Sequence, residues 1–430
     1  MLETTTSTAP PTYEQVQDAV DISNGADPEV VQSVIYAAIE EVSKELFTIN
    51  QDLHANPELG MQEHHAHQLL TDYLEKKGFT VTRHAYDMET AFTAEFSRGE
   101  GRRVGFCSEY DALPKIGHAC GHNLIAIGGL ACAIAVKALL ESGLASGKVI
   151  LYGTPAEERF IGKVIMVNKR AFQDNVDVCL MLHPAAYDLQ YGAMTAAQDI
   201  TIECRGKPSH AGATPWEGVN ALDAIVQIWN NISMLRQQLK PTDRVHGIIT
   251  HGGDAPNVIP EYTSAMFYVR TPKATDIERV MKKVEKCVEA AGTATGCEVT
   301  YKWRELGTTR DVVQNGVMAD MYSKYLEKEG ITFLPRHIQE NNLMGGSTDM
   351  GTVSYCKPTI HPMYAINKTT AANHTTEFTK AAGTPMAHDD TIRASKGLAM
   401  AGALVLVDEN YYQAVKADFE QNVPEEYRIL

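Results

Sequence analysis

Apolar residues recur along this chain in two rhythms. After Asp27-Pro28-Glu29, Val31, Ile35, Ala38, Val42, Leu46, Ile49 and Leu53 follow at spacings of three and four. That spacing predicts one buried stripe on an α-helix. Asp27 suits its N-cap, Pro28 its first helical position and Glu29 its first turn. Short, nearly continuous apolar runs come next, over Arg103–Ser108, Lys148–Gly153 and Asp177–Leu182, bounded by Gly, Pro and polar residues. Runs of that length predict strands buried on both faces. Leu124–Ser142, Met318–Glu329 and Thr391–Val407 read as helices, the first with Asn123 as N-cap and Gly143 just past its end. The alternation predicts an α/β domain with a largely buried sheet flanked by helices.

The middle of the chain has another order. Ile200–Arg205 alternates as a strand, Val219–Leu239 has helical periodicity, and Val245–His251 and Thr263–Arg270 are strand-like around a Gly/Pro-rich loop. Thr275–Ala291 reads as a helix and Glu298–Trp303 as a strand. This β-α-β-β-α-β series is the split βαβ unit. Residues 195–308 are therefore expected to form a ferredoxin-like domain inserted into a discontinuous one of 27–194 and 309–430. Residues 1–26, rich in Thr, Pro and acids, are expected to be a mobile lead-in.

Composition narrows the function classes. The chain has 430 residues, 38 basic and 54 acidic, for a net charge of −16, with 44% hydrophobic residues. Such a chain buries large cores. Its acidity argues against nucleic acid and anionic membrane surfaces as partners. The 8 cysteines are dispersed with no CxxC pair, as expected of reduced thiols in a cytoplasmic protein and not of a disulfide framework or a redox-thiol enzyme. The N-terminus shows neither a basic region before an apolar run nor an Arg-rich presequence. The apolar stretches Leu124–Leu140 and Gly397–Val407 read as buried helices too short to span a membrane.

Polar chemistry gathers where the predicted strands end. Ser108-Glu109-Tyr110-Asp111-Ala112-Leu113-Pro114 and Gly117-His118-Ala119-Cys120-Gly121-His122-Asn123 follow the first strand, at the carboxyl end where open α/β sheets place their sites. Cys120 and His122, one glycine apart, offer a thiolate and an imidazole to a zinc-like metal; a buried Cys beside a capping His would look the same. Thr154-Pro155-Ala156-Glu157-Glu158 follows the second strand. Adjacent side chains diverge, so one carboxylate could face a metal and the other a bound water. An acidic helix start is the plainer account. His183 ends the third strand, and His374 lies in Asn373-His374-Thr375-Thr376-Glu377-Phe378. Each alone reads as structural, but three successive strand ends carrying Cys/His, Glu/Glu and His converge on a possible two-metal site.

These motifs resemble the aminoacylase/carboxypeptidase family of co-catalytic metallopeptidases, and within it the amidohydrolase branch. The resemblance runs from His54-Ala55-Asn56-Pro57-Glu58-Leu59-Gly60 through Asp111-Ala112-Leu113-Pro114, His118-Ala119-Cys120-Gly121-His122, Pro155-Ala156-Glu157-Glu158, His183, Ser209-His210-Ala211-Gly212 and Asn257-Val258-Ile259-Pro260 to Phe378. Glu109-Tyr110-Asp111, Gly121-His122-Asn123 and Ser347-Thr348-Asp349-Met350-Gly351 bring it nearest to Xaa-Arg dipeptidase-like members. The resemblance implies a catalytic domain with a mixed sheet, interrupted by a lid and dimerisation domain. It implies two divalent metals, zinc first and manganese or cobalt as alternatives, held by Cys120, His122, Glu158, His183 and His374, with Cys120 bridging. Glu157 would be the general base. His210, from a partner subunit of a homodimer, would stabilise the oxyanion. Asn257 and Arg270 would hold the substrate's carboxylate.

The implied reaction is hydrolysis of the amide bond of a dipeptide, with a basic C-terminal residue by the nearest resemblance, or of an N-acyl amino acid. A non-catalytic metal-binding scaffold is the alternative of another class. Two departures stand out. Asn123 replaces the Asp usual after the His of the Cys-Gly-His motif, so Asp111 is expected to support the ligands instead. Arg159-Phe160-Ile161 replaces glycines after the Glu pair, and an inward Arg159 would repel a basic side chain.

Overall fold

The computed structural model describes residues 26–342, 345–367 and 369–430; the expected mobile lead-in lies outside these but for Ala26. Helices α1 (Pro28–Ala55) and α2 (His64–Lys76) come first, then strands β1 (Thr80–Arg83), β2 (Phe92–Arg98) and β3 (Arg103–Ser108). The long helix α3 (His122–Ser142) leads to β4 (Gly147–Gly153), two short helices, α4 (Glu157–Phe160) and α5 (Gly162–Asn168), and the short strands β5 (Val178–Leu180) and β6 (His183–Ala185). The chain then builds β7 (Ala196–Arg205), β8 (Ser209–His210), α6 (Ala221–Leu235), β9 (Arg244–His251), β10 (Val258–Ile259), β11 (Tyr262–Thr271), α7 (Ala274–Thr295) and β12 (Glu298–Trp303). It returns through α8 (Gly316–Lys328), β13 (Thr359–Ile360), β14 (Met363–Ala365), α9 (Thr376–Ala382), α10 (Pro385–Val407) and α11 (Glu409–Asn422).

Contacts divide the chain into two units. The first holds the residues up to Gly192 with Val313–Asn342 and Thr352–Leu430. Its six-stranded sheet has the order β1-β2-β4-β3-β5-β13. Strands β4, β3, β5 and β13 run parallel, and β1 and β2 close one edge antiparallel. Three neighbouring parallel strands, β4, β3 and β5, thus end side by side, the arrangement that gathers loops into one crevice.

Helix α1 forms as its stripe requires. Asp27 Oδ1 accepts from Glu29 N at 2.9 Å, and Val31, Ile35, Ile39, Val42, Leu46, Ile49 and Leu53 are buried. Ile39 takes the inward position expected of Ala38, which is only half-buried. Helix α3 packs on α1, α10 and the sheet. It is long and apolar enough to cross a membrane, unlike the shorter stretch the sequence suggested, but its apolar window is 89% buried within the fold. Its start also differs from expectation. Gly121, at φ 78°, is the N-cap. Asn123 is buried inside the first turn, donating from Nδ2 to Asn50 Oδ1 at 2.7 Å and to Ala382 O at 3.0 Å. Its amide joins α3 to α1 and α9, which is a better use of a buried donor than a solvent-side cap.

The second unit is Ala193–Val312 with 345–351. Its four strands are antiparallel in the order β12-β7-β11-β9, the ferredoxin-like arrangement of the split βαβ unit. Ile200, Ile202 and Cys204 on β7 and Ala265, Phe267 and Val269 on β11 are buried in one core with Ala224, Ile225, Ile228 and Ile232 of α6 and Val280, Val284 and Val288 of α7. The segment 345–351 joins this unit although it is distant in sequence; Thr195 N donates to Gly346 O at 2.8 Å.

Candidate metal centre

The loop after β3 and the start of α3 bring the first ligands together. Gly121 between Cys120 and His122 is required by its positive φ and by space: a Cβ there would lie 2.6 Å from Pro184 Cγ. With the chain so bent, Cys120 Sγ lies 3.4 Å from Nε2 of His183, which follows β5. The His183 ring donates from Nδ1 to Pro184 O at 2.9 Å, so Nε2 carries the lone pair toward the thiol. Burial pushes the His183 imidazole down to about 4, which keeps it neutral and able to ligate.

His122 is fully buried. Its Nδ1 donates to both Asp111 O at 2.8 Å and Asp111 Oδ1 at 3.0 Å. That leaves Nε2 facing Glu109 Oε2 at 3.4 Å and Glu158 Oε1 at 3.9 Å. Although burial works the other way, the Asp111 and Glu109 carboxylates hold the His122 imidazole well above its ordinary range. A proton on Nε2 there occupies the position that a cation would take.

Asp111 also accepts from Glu158 N through Oδ2 at 3.1 Å. One buried carboxylate thus orients His122 and the backbone that carries Glu158, the support that the sequence could not expect from Asn123. Glu158 Oε1 meets His374 Nε2 at 3.3 Å. Burial would raise this carboxyl, yet the His374 and His122 imidazoles facing it hold it below its usual value. His374 is placed by its backbone: its N donates to Ala119 O at 2.8 Å, and it has a left-handed φ of 67°.

The carboxylates of Glu157 and Glu158 do not diverge as their adjacency predicted. Each offers an oxygen to a group with His122 whose atoms all lie within 4.8 Å. The cause is the local turn. Ala156 and Ile161, both at positive φ, bracket α4, so both side chains of this single turn reach the strand end. Arg159, on the exposed part of the same turn, lays its guanidinium over the Phe160 ring at 5.5 Å.

Two further three-donor groups share one atom. Cys120, His122 and His183 form one, and Cys120, Glu158 and His374 form the other, each within 4.8 Å. The site fits divalent cations on its own terms. His122 Nε2, Glu158 Oε1 and Glu109 Oε2 are buried with no hydrogen-bond partner among the described residues, a costly state that a cation relieves. Burial and the Glu158 charge push the Cys120 thiol up, so a thiolate there needs a cation beside it. The set of one thiolate, imidazoles and carboxylate is that of zinc-like metals.

Two buried residues around this centre carry no role in the motifs above. Glu109 pairs with Lys163 Nζ of α5, both side chains at 0% exposure. His361, after β13, is buried with its ring centroid 5.4 Å from that of His183, and neither ring nitrogen has a hydrogen-bond partner among the described residues. A signal for His361 existed: Ile360-His361-Pro362 repeats the pattern of Leu182-His183-Pro184, and β13 pairs with β5.

The other expected site residues belong to the second unit. His210 and Asn257 are neighbours there, since β8 pairs with β10 and Ala211 N donates to Asn257 O at 2.9 Å. The exposed His210 ring accepts at Nδ1 from Gly212 N at 3.2 Å and Ala213 N at 3.1 Å. The neutral ring therefore carries its proton on Nε2. Arg270, on β11, donates to Ser347 Oγ at 2.7 Å and lies over the Tyr268 ring at 5.7 Å.

Replacing Asp111 with Asn is expected to weaken metal binding by about 10- to 100-fold, because one amide cannot accept from both the His122 ring and the Glu158 backbone. Competition with a chromogenic chelator measures this; an unchanged affinity would show that Asp111 does not orient the ligands.

A mixed sheet whose strand ends gather thiolate, imidazole and carboxylate donors can frame the site of a metal-dependent hydrolase, and comparison with known proteins gives the family. Residues 195–296 match the M20 peptidase dimerisation domain. The chain is 40% identical over 416 residues to Xaa-Arg dipeptidase of Mus musculus, covering 94% of this chain and 95% of that protein. It is 27% identical to a p-aminobenzoyl-glutamate hydrolase chain of Escherichia coli, covering 89% and 94%. A crystal structure of a Bacillus subtilis dinuclear metal binding peptidase of the M20 family aligns with TM-score 0.63 at 20% identity, covering 85% of this chain and 99% of that one. The chain belongs to the M20 family of metallopeptidases, and it is a hydrolase.

Proposed function

We propose that this hydrolase cleaves dipeptides with a basic C-terminal residue, and that Cys120, His122, Glu158, His183 and His374 would hold two zinc ions, with Cys120 as the ligand common to both. The observation that carries the reading is the pair of three-donor groups sharing Cys120. When bound, the ions supply a water of lowered pKa and Lewis acidity at the scissile carbonyl. Glu157 takes the proton of the attacking water and passes it to the leaving amine. His210 donates from Nε2 to the carbonyl oxygen as negative charge develops there, and Asn257 and Arg270 hold the substrate's terminal carboxylate. The basic preference is supported by the 40% identity to a protein named Xaa-Arg dipeptidase.

Two copies of the chain join through the unit that contains the dimerisation-domain match, supplying His210 across the pair. The exposed side chains of Trp216 and Ile248 on that unit, at 75% and 63% exposure, support an apolar contact. Eight free cysteines support a cytoplasmic setting.

A panel of dipeptides and N-acyl amino acids, run beside metal analysis, tests the substrate. Dipeptides ending in Arg, Lys or ornithine are expected to exceed the best N-acyl amino acid in kcat/KM by about tenfold or more, which is about 1.4 kcal/mol of transition-state preference. A higher kcat/KM for N-acyl amino acids would make the chain an aminoacylase-like amidohydrolase. Absence of both metal and amidase activity would leave the scaffold reading.

A further inference from the structure

Glu63 is a buried carboxylate that nothing described so far uses. It stands immediately before α2, where a side chain would ordinarily accept from the first free amides of the helix, but it makes no such bond. Glu58 caps the helix instead, with Oε1 on His65 N at 3.0 Å and Oε2 on Ala66 N at 2.9 Å. Glu63, at 0% exposure, turns inward. Its Oε2 accepts from Thr90 Oγ1 at 2.7 Å, and its Oε1 accepts from Ala156 N at 2.8 Å. Both of these partners are neutral. Burying a carboxylate on neutral donors is unfavourable, and burial does push this carboxyl up to about 7.

The residue it holds is the one that aims the catalytic turn. Ala156 is fully buried with φ 61° and ψ 38°, a left-handed conformation that a residue with a Cβ takes only when its surroundings impose it. Glu157 is next in the chain. The same loop that supplies Glu63 also presses on Ala156 through Gly60, where a Cβ would lie 3.0 Å from both Ala156 Cα and Ala156 Cβ. The far side of the Glu63 grip is itself fixed: Thr90 O accepts from Tyr110 Oη at 2.6 Å and is bonded by His67 Nδ1 at 3.0 Å.

We infer that Glu63 is a positioning residue for Glu157: its carboxyl clamps the Ala156 amide and thereby fixes the left-handed turn that points the general base at the cluster. The inference rests on the reading of Glu157 as the base. Reach matters in this arrangement more than charge, because both partners are neutral. A misplacement on the order of 1 Å costs about 100-fold in rate.

Two substitutions in the metal-loaded enzyme separate reach from charge, with Glu157→Gln measured alongside. Glu63→Gln keeps the length and an acceptor oxygen, and is expected to keep kcat within about threefold. Glu63→Asp keeps the charge but falls short by one methylene. It is expected to lose about 10- to 100-fold in kcat, with KM and metal content near those of the unaltered enzyme. Wild-type kcat in Glu63→Asp, or equal loss in both variants, would overturn the inference. If instead Glu157→Gln were fully active, the base reading would fall, and the Glu63 inference with it. Should neither Glu63 variant fold, amide exchange in the unaltered enzyme decides: the Ala156 N–H is expected to exchange as slowly as the amides of β4, and exchange at a loop rate would overturn the clamp.

Discussion

Glu157→Gln is expected to lower kcat by about 10²- to 10⁴-fold, the usual contribution of a positioned general base, while the protein keeps its fold and its two metals. The side chain is half-buried on the one-turn helix α4, and an oxygen of it shares a 4.8 Å neighbourhood with His122 and Glu158. Gln has the same length and nearly the same shape, so the Ala156 turn has no reason to rearrange. What the amide lacks is the ability to take a proton from water and return it to the amine. Because the loss falls on the transition state and not on substrate binding, kcat and kcat/KM should drop together and KM should hardly move. Glu158→Gln is the contrasting case. Glu158 Oε1 is buried with no hydrogen-bond partner among the described residues and faces both His374 and His122, so its replacement should remove metal along with activity. Steady-state kinetics on a dipeptide with metal quantified in each preparation separates the two. Undiminished turnover by Glu157→Gln would show that another group takes the proton.

The parts of this architecture that the sequence made legible are those with short-range signals. The stripe of α1, the buried runs of β3, β4 and β5 and the β-α-β-β-α-β order of the second unit are local periodicities, and each appears where it was expected but for Ile39 in place of Ala38 and a β5 shortened to Val178–Leu180. Cys120, His122, Glu158, His183 and His374 could be collected because each ends a strand or sits in a dense polar motif. The rest depends on encounters between distant segments. Lys163 opens an unremarkable helix, and only the fold sets it against Glu109, 54 positions earlier. Glu63 reads as an ordinary acidic residue before a helix until Ala156, 93 positions away, is placed on it. Asn123 looks like a cap because capping is the commonest local use of Asn; Asn50, 73 positions away, gives it a different one. His361 differs, since its strand-end pattern is visible in the sequence itself.

Removal of the metals is expected to abolish turnover and to lower the melting temperature, and zinc, manganese or cobalt should restore both. The buried polar atoms explain the stability effect. Asp111, Glu109 and His122 are each at most 1% exposed, and Glu109 Oε2, Glu158 Oε1 and His122 Nε2 have no hydrogen-bond partner among the described residues. In the stripped protein the raised His122 imidazolium offsets part of the surrounding negative charge, but a single proton does so less well than two divalent cations. Each site held at about 100 times its Kd adds about 2.7 kcal/mol, so two independent sites add about 5 kcal/mol. Binding must also expel protons. His122 is held above its ordinary value and the Cys120 thiol is pushed up, so both must deprotonate to ligate. Metal affinity should therefore rise with pH, by up to about 100-fold per unit where both protons are lost, and acid should strip the enzyme. Chelator titrations at several pH values, followed by thermal melts and dipeptide assays of the same samples, measure all three effects. Full activity in protein shown to be free of metal would remove the metal centre from the reaction, and an affinity that falls with rising pH would remove Cys120 and His122 from the ligands.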